Sequence, residues 1–128
     1  MKLRDLMVYV AGPITKGCII HNVRQAHEAA VEIVKAGLSV YVPHASCFWG
    51  SVLTECGKGF RPGPEVDGVH YEEWMHMYFA VIRKCQVLLR LPGESSGADR
   101  EVQHALELKI PIFGCVKELI SVITGKRN

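Results

Sequence analysis

Short runs of apolar residues alternate along the chain with longer segments in which every third or fourth residue is apolar. The short runs have the length and the continuous hydrophobicity of strands buried on both faces, and they cover 6–11, 39–43, 87–91 and 110–114. The longer segments have the period of amphipathic helices and cover 22–36, 71–84, 98–108 and 116–124. We expect Asn22 and Gly37 to cap the first helix and Gly125 to cap the last.

This alternation of strands and helices predicts an α/β fold with a parallel sheet covered by helices on both faces. The expected architecture is a doubly wound, three-layer sandwich of the flavodoxin or Rossmann type, with strand order 2-1-3-4. That order brings the loops 12–21 and 92–97 together at the carboxyl edge of the sheet, where such folds bind ligands. The 128 residues are expected to form one domain, 1–128.

The segment 44–70 has neither a helical nor a strand period, and it contains five glycines and two prolines. A loop of this length in a compact domain is usually functional, and this one leaves the carboxyl end of the second strand. We therefore expect a mobile lid over the same edge of the sheet. Trp49 within it either stacks on an aromatic ligand or anchors the loop to the core.

Charge and cysteine content narrow the possible partners. The 15 basic and 13 acidic residues nearly balance and no basic block occurs, so neither a nucleic acid polymer nor an anionic membrane is an expected partner. The five cysteines are an odd number without a Cys-x-x-Cys pair, which favours free thiols and a cytoplasmic setting. Cys85 and Cys115 are expected in the core. The first apolar run is short, so neither a signal peptide nor a membrane span is expected.

Two polar side chains stand at positions that the pattern assigns to the interior. Glu101 lies one helical turn after Ala98 and one turn before Ala105, on the apolar face of the third helix. A carboxylate there is costly unless it is paired or functional. Tyr9 lies in the middle of the first strand, and its hydroxyl needs a partner if buried. The two could meet, because a neighbouring strand leads into the helix that carries Glu101, but from the pattern alone simple core packing of Tyr9 is the favoured interpretation.

Small residues follow the first and third strands at the expected ligand-binding edge. Gly12, with Pro13 and Ile14, would let a ligand approach the backbone closely, and an ordinary turn is the alternative. At the start of the third helix, free N–H groups and small side chains are typical of an anion site. Ser96 is expected to cap that helix, which would leave Ser95 and Gly97 to face a ligand.

A metal site is the remaining chemical possibility, and the spacing does not favour it. Among His44, Cys47 and His70, only His44-x-x-Cys47 has a tight ligand spacing, and no second matching pair follows. We expect no metal and no cofactor.

Three segments together resemble the nucleoside 2-deoxyribosyltransferase superfamily, which includes the small 2′-deoxynucleoside 5′-monophosphate N-glycosidases. They are VYVAGP at 8–13, VPH at 42–44 and LPGESSGA at 91–98, the last followed by Glu101. The similarity extends over nearly the whole chain. The resemblance implies a single domain that cleaves or transfers at the N-glycosidic bond of a nucleoside or nucleoside 5′-monophosphate, and a homodimer or larger homo-oligomer.

The same resemblance implies roles for individual residues. Glu101 would be the nucleophile that attacks the anomeric carbon, and Tyr9 would orient it. Gly12 and the loop after it would line the sugar. Ser95 matches a position that contacts phosphate in the nucleotide hydrolases, which favours a 5′-phosphorylated substrate. His44, Trp49 and Tyr78 complete the residues expected to contact substrate.

One position departs from the pattern of that superfamily. Tyr78 stands where the superfamily usually has an aspartate that contacts the sugar and transfers a proton, and Cys85-Gln86 replaces a Cys-Asp pair. A phenol has an ordinary pKa of about 10 and cannot act as a base near neutral pH. Either a carboxylate among Asp67, Glu72 and Glu73 substitutes, or the protein is a weakly active or inactive module that binds a nucleotide derivative.

Overall fold

The computed structural model describes residues 2–14, 16–45, 65–66 and 69–126. Within them a short 3-10 turn, Leu3–Asp5, precedes the main elements. The strands are β1 (Met7–Ala11), β2 (Ser39–Tyr41), β3 (Glu65–Val66), β4 (Val69–His70), β5 (Val87–Arg90) and β6 (Ile112–Phe113). The helices are α1 (Ile19–Lys35), α2 (Tyr71–Ile82), α3 (Ser96–Glu107) and α4 (Val116–Thr124).

Four parallel strands form the central sheet in the order β2-β1-β5-β6. Counted along the chain, this is the predicted order 2-1-3-4, and the predicted α/β, doubly wound class is confirmed. Tyr9 pairs with Tyr41 on one side and with Leu88 on the other, and Ala11 pairs with Arg90. The carboxyl ends of β1 and β5 therefore lie side by side.

Side chains alternate across β1 and divide the core into two layers. Val8 and Val10 pack in a cluster that includes residues of α1 and α4. Tyr9 and Ala11 face the other way, into a cluster that includes residues of α2 and α3. The sheet thus has helices on both faces, and Tyr9 faces the layer that carries α3.

Several element ends differ from the predicted ones. β2 ends at Tyr41 rather than residue 43, since Pro43 has no N–H to continue a ladder. The prediction that Asn22 caps the first helix is wrong, because Cys18 is the N-cap and Asn22 is buried inside α1. Its amide instead donates to the carbonyls of Ile14 (3.0 Å) and Lys16 (2.8 Å). The expected glycine ends at Gly37 and Gly125 are confirmed by their positive φ.

The expected burial of the cysteines is half right. Cys85 is buried, but Cys115 is exposed because it lies at the N-cap of α4 rather than inside β6. Most of the expected lid, 44–70, lies outside the described residues, and so does Trp49. At its end β3 and β4 pair as a short antiparallel hairpin. No helix in the described ranges is long and apolar enough to cross a membrane.

Candidate functional site

Three loops meet at the carboxyl edge of the sheet, around Pro13. His44, after β2, has its Nε2 3.0 Å from the carbonyl oxygen of Pro13. Gly93, after β5, packs so closely that a Cβ there would lie 2.8 Å from Pro13 Cγ. An exposed ion pair between Lys16 and Glu94, at 2.9 Å, joins the same two loops. The loops after β1, β2 and β5 therefore form one connected rim.

Gly12 has a packing reason to be glycine. A Cβ at this position would lie 2.9 Å from Leu91 Cβ, a distance that real Cβ atoms essentially never show. The expected role of Gly12 in admitting a ligand is therefore not needed to explain it. Pro13 is buried and Ile14 is partly buried beside it. These residues shape the rim through contacts with the neighbouring loop.

Tyr9 and Glu101 meet beneath this rim. The Tyr9 hydroxyl donates a hydrogen bond to Glu101 Oε2, and the side chains are 0% and 6% exposed. The ring of Tyr41 on β2 stacks on Tyr9, with centroids 5.7 Å apart. A buried carboxylate on a helix is thus held by a phenol that the centre of the sheet supports, which fixes both groups.

Burial dominates the electrostatics of this pair. It raises the pKa of Glu101 to about 7, although the hydrogen bond from Tyr9 and the charge of Arg90 act in the opposite direction. Burial, followed by the adjacent Glu101, raises the pKa of Tyr9 far above its ordinary value. Near neutral pH Tyr9 therefore stays protonated and able to donate, while Glu101 populates both its neutral and its charged form.

This shift predicts a pH dependence of stability. The folded pKa of Glu101, about 7, exceeds the ordinary 4.5, so folding favours the protonated form. The contribution of Glu101 to the free energy of unfolding is fully present below pH 4.5. That free energy falls by roughly 3 kcal/mol as pH rises from 4.5 to 7 and above. Urea unfolding of wild type and Glu101→Gln across pH 4–9 measures it. The difference between the two curves isolates Glu101, and a constant difference would contradict the shift.

The start of α3 differs from the prediction by one residue. Ser95, not Ser96, is the N-cap, and its Oγ accepts a hydrogen bond from the Ala98 N–H at 3.1 Å. Ser96 is exposed, and Asp99 pairs with Arg90 instead of forming a capping box. At Gly97 a Cβ would lie 2.9 Å from the Tyr71 hydroxyl, so the helix start packs closely against α2.

His44 is almost completely buried, at 1% exposure. Burial lowers the pKa of His44, partly offset by the carbonyl of Pro13, so the ring is neutral at pH 7. A carbonyl only accepts, so Nε2 carries the proton and Nδ1 is an acceptor. Nδ1 has no hydrogen-bond partner within the residues described.

Tyr78 lies in the same buried cluster as Tyr9 and is 6% exposed. Its ring stacks on Trp74, with centroids 6.2 Å apart. Of the carboxylates that could substitute for an aspartate here, Glu72 is engaged by Arg100 through two hydrogen bonds of 2.9 Å. Glu73 is exposed, and Asp67 lies outside the described residues. Among the described residues, Glu101 is the one buried carboxylate.

Two other polar residues have structural positions that the sequence analysis did not assign. Gln86 accepts a hydrogen bond of 2.7 Å from the Met7 N–H, so it joins β1 to β5 at the amino end of the strands, away from Glu101. Arg90 ends β5 beside the site, with hydrogen bonds to Leu91, Gly93 and Asp99. The sequence signal that could have identified Arg90 is a charged residue at the end of an otherwise apolar strand. No group of three metal-ligating side chains occurs in the described part of the chain.

Comparisons with known proteins agree with this architecture. The structure superposes on the 2-deoxyribosyltransferase of the psychrotolerant bacterium Bacillus psychrosaccharolyticus with a TM-score of 0.52 and 17% identity, over 91% of this chain and 80% of that one. The two proteins therefore share a fold. No curated protein sequence matches the chain significantly. A family described as Domain of unknown function (DUF4406) matches residues 6–114, most of the 128, and the chain belongs to that family.

Proposed function

We propose that this protein cleaves or transfers at the N-glycosidic bond of a nucleoside or nucleoside 5′-monophosphate, with Glu101 as the nucleophile. The observation that carries the proposal is the buried Tyr9–Glu101 hydrogen bond at the ligand-binding edge of the sheet. The fold shared with a 2-deoxyribosyltransferase supports the choice of reaction. A shared fold without the Tyr9–Glu101 pair would not support that choice, because one fold serves many chemistries.

In the proposed mechanism, a carboxylate oxygen of Glu101 attacks the anomeric carbon as the bond to the base breaks. The electron pair of that bond leaves with the base, which takes up a proton. Water or a second nucleobase then attacks the anomeric carbon of the resulting glycosyl ester, the bond to the Glu101 oxygen breaks and the carboxylate is regenerated, with the proton of the attacking group released to solvent. Water gives hydrolysis and the second nucleobase gives transfer. Tyr9 donates to Oε2 and so directs the other oxygen, Oε1, towards the sugar. The ionised form is the nucleophile, so kcat/KM should rise as pH increases through about 7.

Release of free base is the direct test. Nucleosides and their 5′-monophosphates, with ribose and with 2-deoxyribose, are incubated with the protein and the products separated by chromatography. The proposal requires base release from at least one compound, and release that depends on Glu101. A homodimer or larger homo-oligomer also remains a prediction, and analytical ultracentrifugation would measure the oligomeric state.

A phosphate preference is expected from the start of α3. The N-terminus of a helix favours an anion, and the hydroxyl-bearing Ser95 caps this one. Wild type should therefore bind a 5′-monophosphate more tightly than its nucleoside. Ser95→Asp retains a capping oxygen but adds a negative charge, so it should weaken monophosphate binding by about tenfold or more and reverse the order. Calorimetry with both ligands measures this.

Ser95→Asn is the matched control, because asparagine caps equally well and is neutral. It should keep the preference for the monophosphate. Equal binding of the two ligands by wild type, or the same loss in both variants, would argue against a phosphate at this position.

The position of Tyr78 favours a second candidate function. Glu101 is the one buried carboxylate among the described residues, so none of them supplies a second buried carboxylic acid of the kind that protonates a leaving group. In this candidate the protein binds a nucleotide derivative without converting it. Calorimetric binding without base release, over hours at high protein concentration, would favour the binding module over the enzyme.

A further inference from the structure

Arg90 occupies an unusual place for a charged residue. It is the last residue of β5 and lies on the same face of the strand as Leu88, which packs in the cluster with Tyr9. Its side chain is only 20% exposed. A guanidinium that is largely removed from water must be compensated by hydrogen bonds and charge. The groups that supply those hydrogen bonds and that charge indicate what Arg90 does.

The partners of Arg90 come from the two segments that precede Glu101. The guanidinium donates to the carbonyls of Leu91 and Gly93, the latter at 3.0 Å, and pairs with Asp99 Oδ1 at 3.0 Å. It thereby fixes the β5–α3 loop and the first turn of α3 to the end of the strand. Glu101 lies two residues after Asp99, so its backbone position depends on the same clamp.

Arg90 also acts on Glu101 through its charge. Tyr9 on β1 and Arg90 on β5 are the described groups that act on the ionisation of Glu101, and Tyr78 on α2 and Tyr41 on β2 act in turn on Tyr9. Within this group Arg90 supplies the positive charge. Tyr9 stays protonated near pH 7, so Arg90 is the described group that opposes the desolvation of the carboxylate by charge.

We propose that Arg90 is a positioning residue, which holds the amino end of α3, and with it Glu101, against β5 and places a positive charge on the face of the sheet that carries Tyr9. The catalytic part of this inference rests on the proposed function. The coupling between Arg90 and Glu101 does not, and it can be measured without any substrate.

Two measurements on Arg90→Met test the coupling. The first is the pH dependence of unfolding by urea, with and without Glu101→Gln. The second is the pH profile of kcat/KM for base release. Loss of the positive charge should raise the midpoint of both profiles by about one pH unit. The shift in the unfolding profile should disappear when Glu101 is also replaced. A loss of stability that is the same at every pH would instead show a merely structural role and overturn the proposal.

Arg100→Met is the matched control. Arg100 is adjacent to Glu101 in sequence and clamps α3 to α2, with its guanidinium paired to the Glu72 carboxylate. This variant is expected to lose stability without a shift of either midpoint. An equal shift in both variants would overturn the proposal.

Arg90→Lys separates charge from geometry, and it serves if Arg90→Met does not fold. Lysine keeps the charge but cannot donate in a fork to two carbonyls. The midpoint should stay near that of wild type while kcat falls several-fold; a wild-type kcat, or a midpoint raised by a full unit, would contradict the proposal. If even wild type releases no base, the proposed function fails, and the unfolding profiles still decide whether Arg90 and Glu101 are coupled.

Discussion

Replacing Glu101 with glutamine is expected to abolish base release, with a loss of at least about a thousandfold in kcat. The amide has nearly the same shape but cannot form the glycosyl ester, so every route through a covalent intermediate is closed. The fold should remain, because the amide oxygen still accepts the hydrogen bond from Tyr9. Chromatographic assay of free base, with circular dichroism of the same sample, measures both.

Glu101→Ala is the companion variant, since it also removes the hydrogen bond and leaves a cavity. Both variants should lose activity alike, but only the alanine variant should be less stable than wild type below pH 4.5, where the wild-type carboxyl group is neutral and fully stabilising. A glutamine variant that retained more than about a tenth of wild-type activity would show that another group performs the attack. Such a result would remove Glu101 from the mechanism while leaving the fold comparison intact.

Tyr78→Asp is expected to have the second largest effect, because it should lower stability and raise the rate of base release. The side chain is 6% exposed and stacked on Trp74, so an aspartate buries a charge and leaves a void. The free energy of unfolding should fall by about 2–4 kcal/mol. Base release per folded molecule should rise by up to about a hundredfold, because a positioned carboxylic acid can protonate the leaving base. Melting temperature and base release are measured on one sample.

Tyr78→Phe is the control for this prediction, because it removes only the hydroxyl. A phenylalanine variant equal to wild type in stability and in base release would show that the hydroxyl has no part in catalysis. If the folded aspartate variant gains no activity, the required proton comes from elsewhere. Glu73, the segment 44–70 or a neighbouring subunit would then be the next to test.

The strand order followed from the sequence because each strand is continuously apolar and each helix has one apolar face. Right-handed crossovers leave few topologies for that pattern. The meeting of Tyr9 and Glu101 was accessible for the same reason: both are polar groups at interior positions of elements that lie near each other in this topology. Periodicity together with the general rules for parallel sheets was sufficient for these features, since both depend on burial rather than on detailed geometry.

The N-cap residues of the helices could not be predicted from periodicity. Ser95 and Ser96 are chemically identical, and only the extended backbone of Ser95 makes it the cap. Asn22 has the chemistry of a cap, but its amide reaches back to two loop carbonyls from the second turn of the helix. The contacts of Arg90 were missed because two of its three partners are backbone carbonyls, which no sequence pattern marks. Local polar contacts are decided by backbone geometry, which sequence periodicity does not contain.

The hydrogen bond between Tyr9 and Glu101 also gives the site an optical signal. The near-ultraviolet absorption of a phenol shifts when its hydroxyl donates to a charged rather than a neutral carboxyl group. The pKa of Tyr9 lies far above its ordinary value, so the ring does not ionise when Glu101 titrates. A difference spectrum between pH 5 and pH 8, corrected with Glu101→Gln, therefore reports the charge of Glu101 directly. Ligands that displace this hydrogen bond can be detected by absorbance, without a label and without turnover.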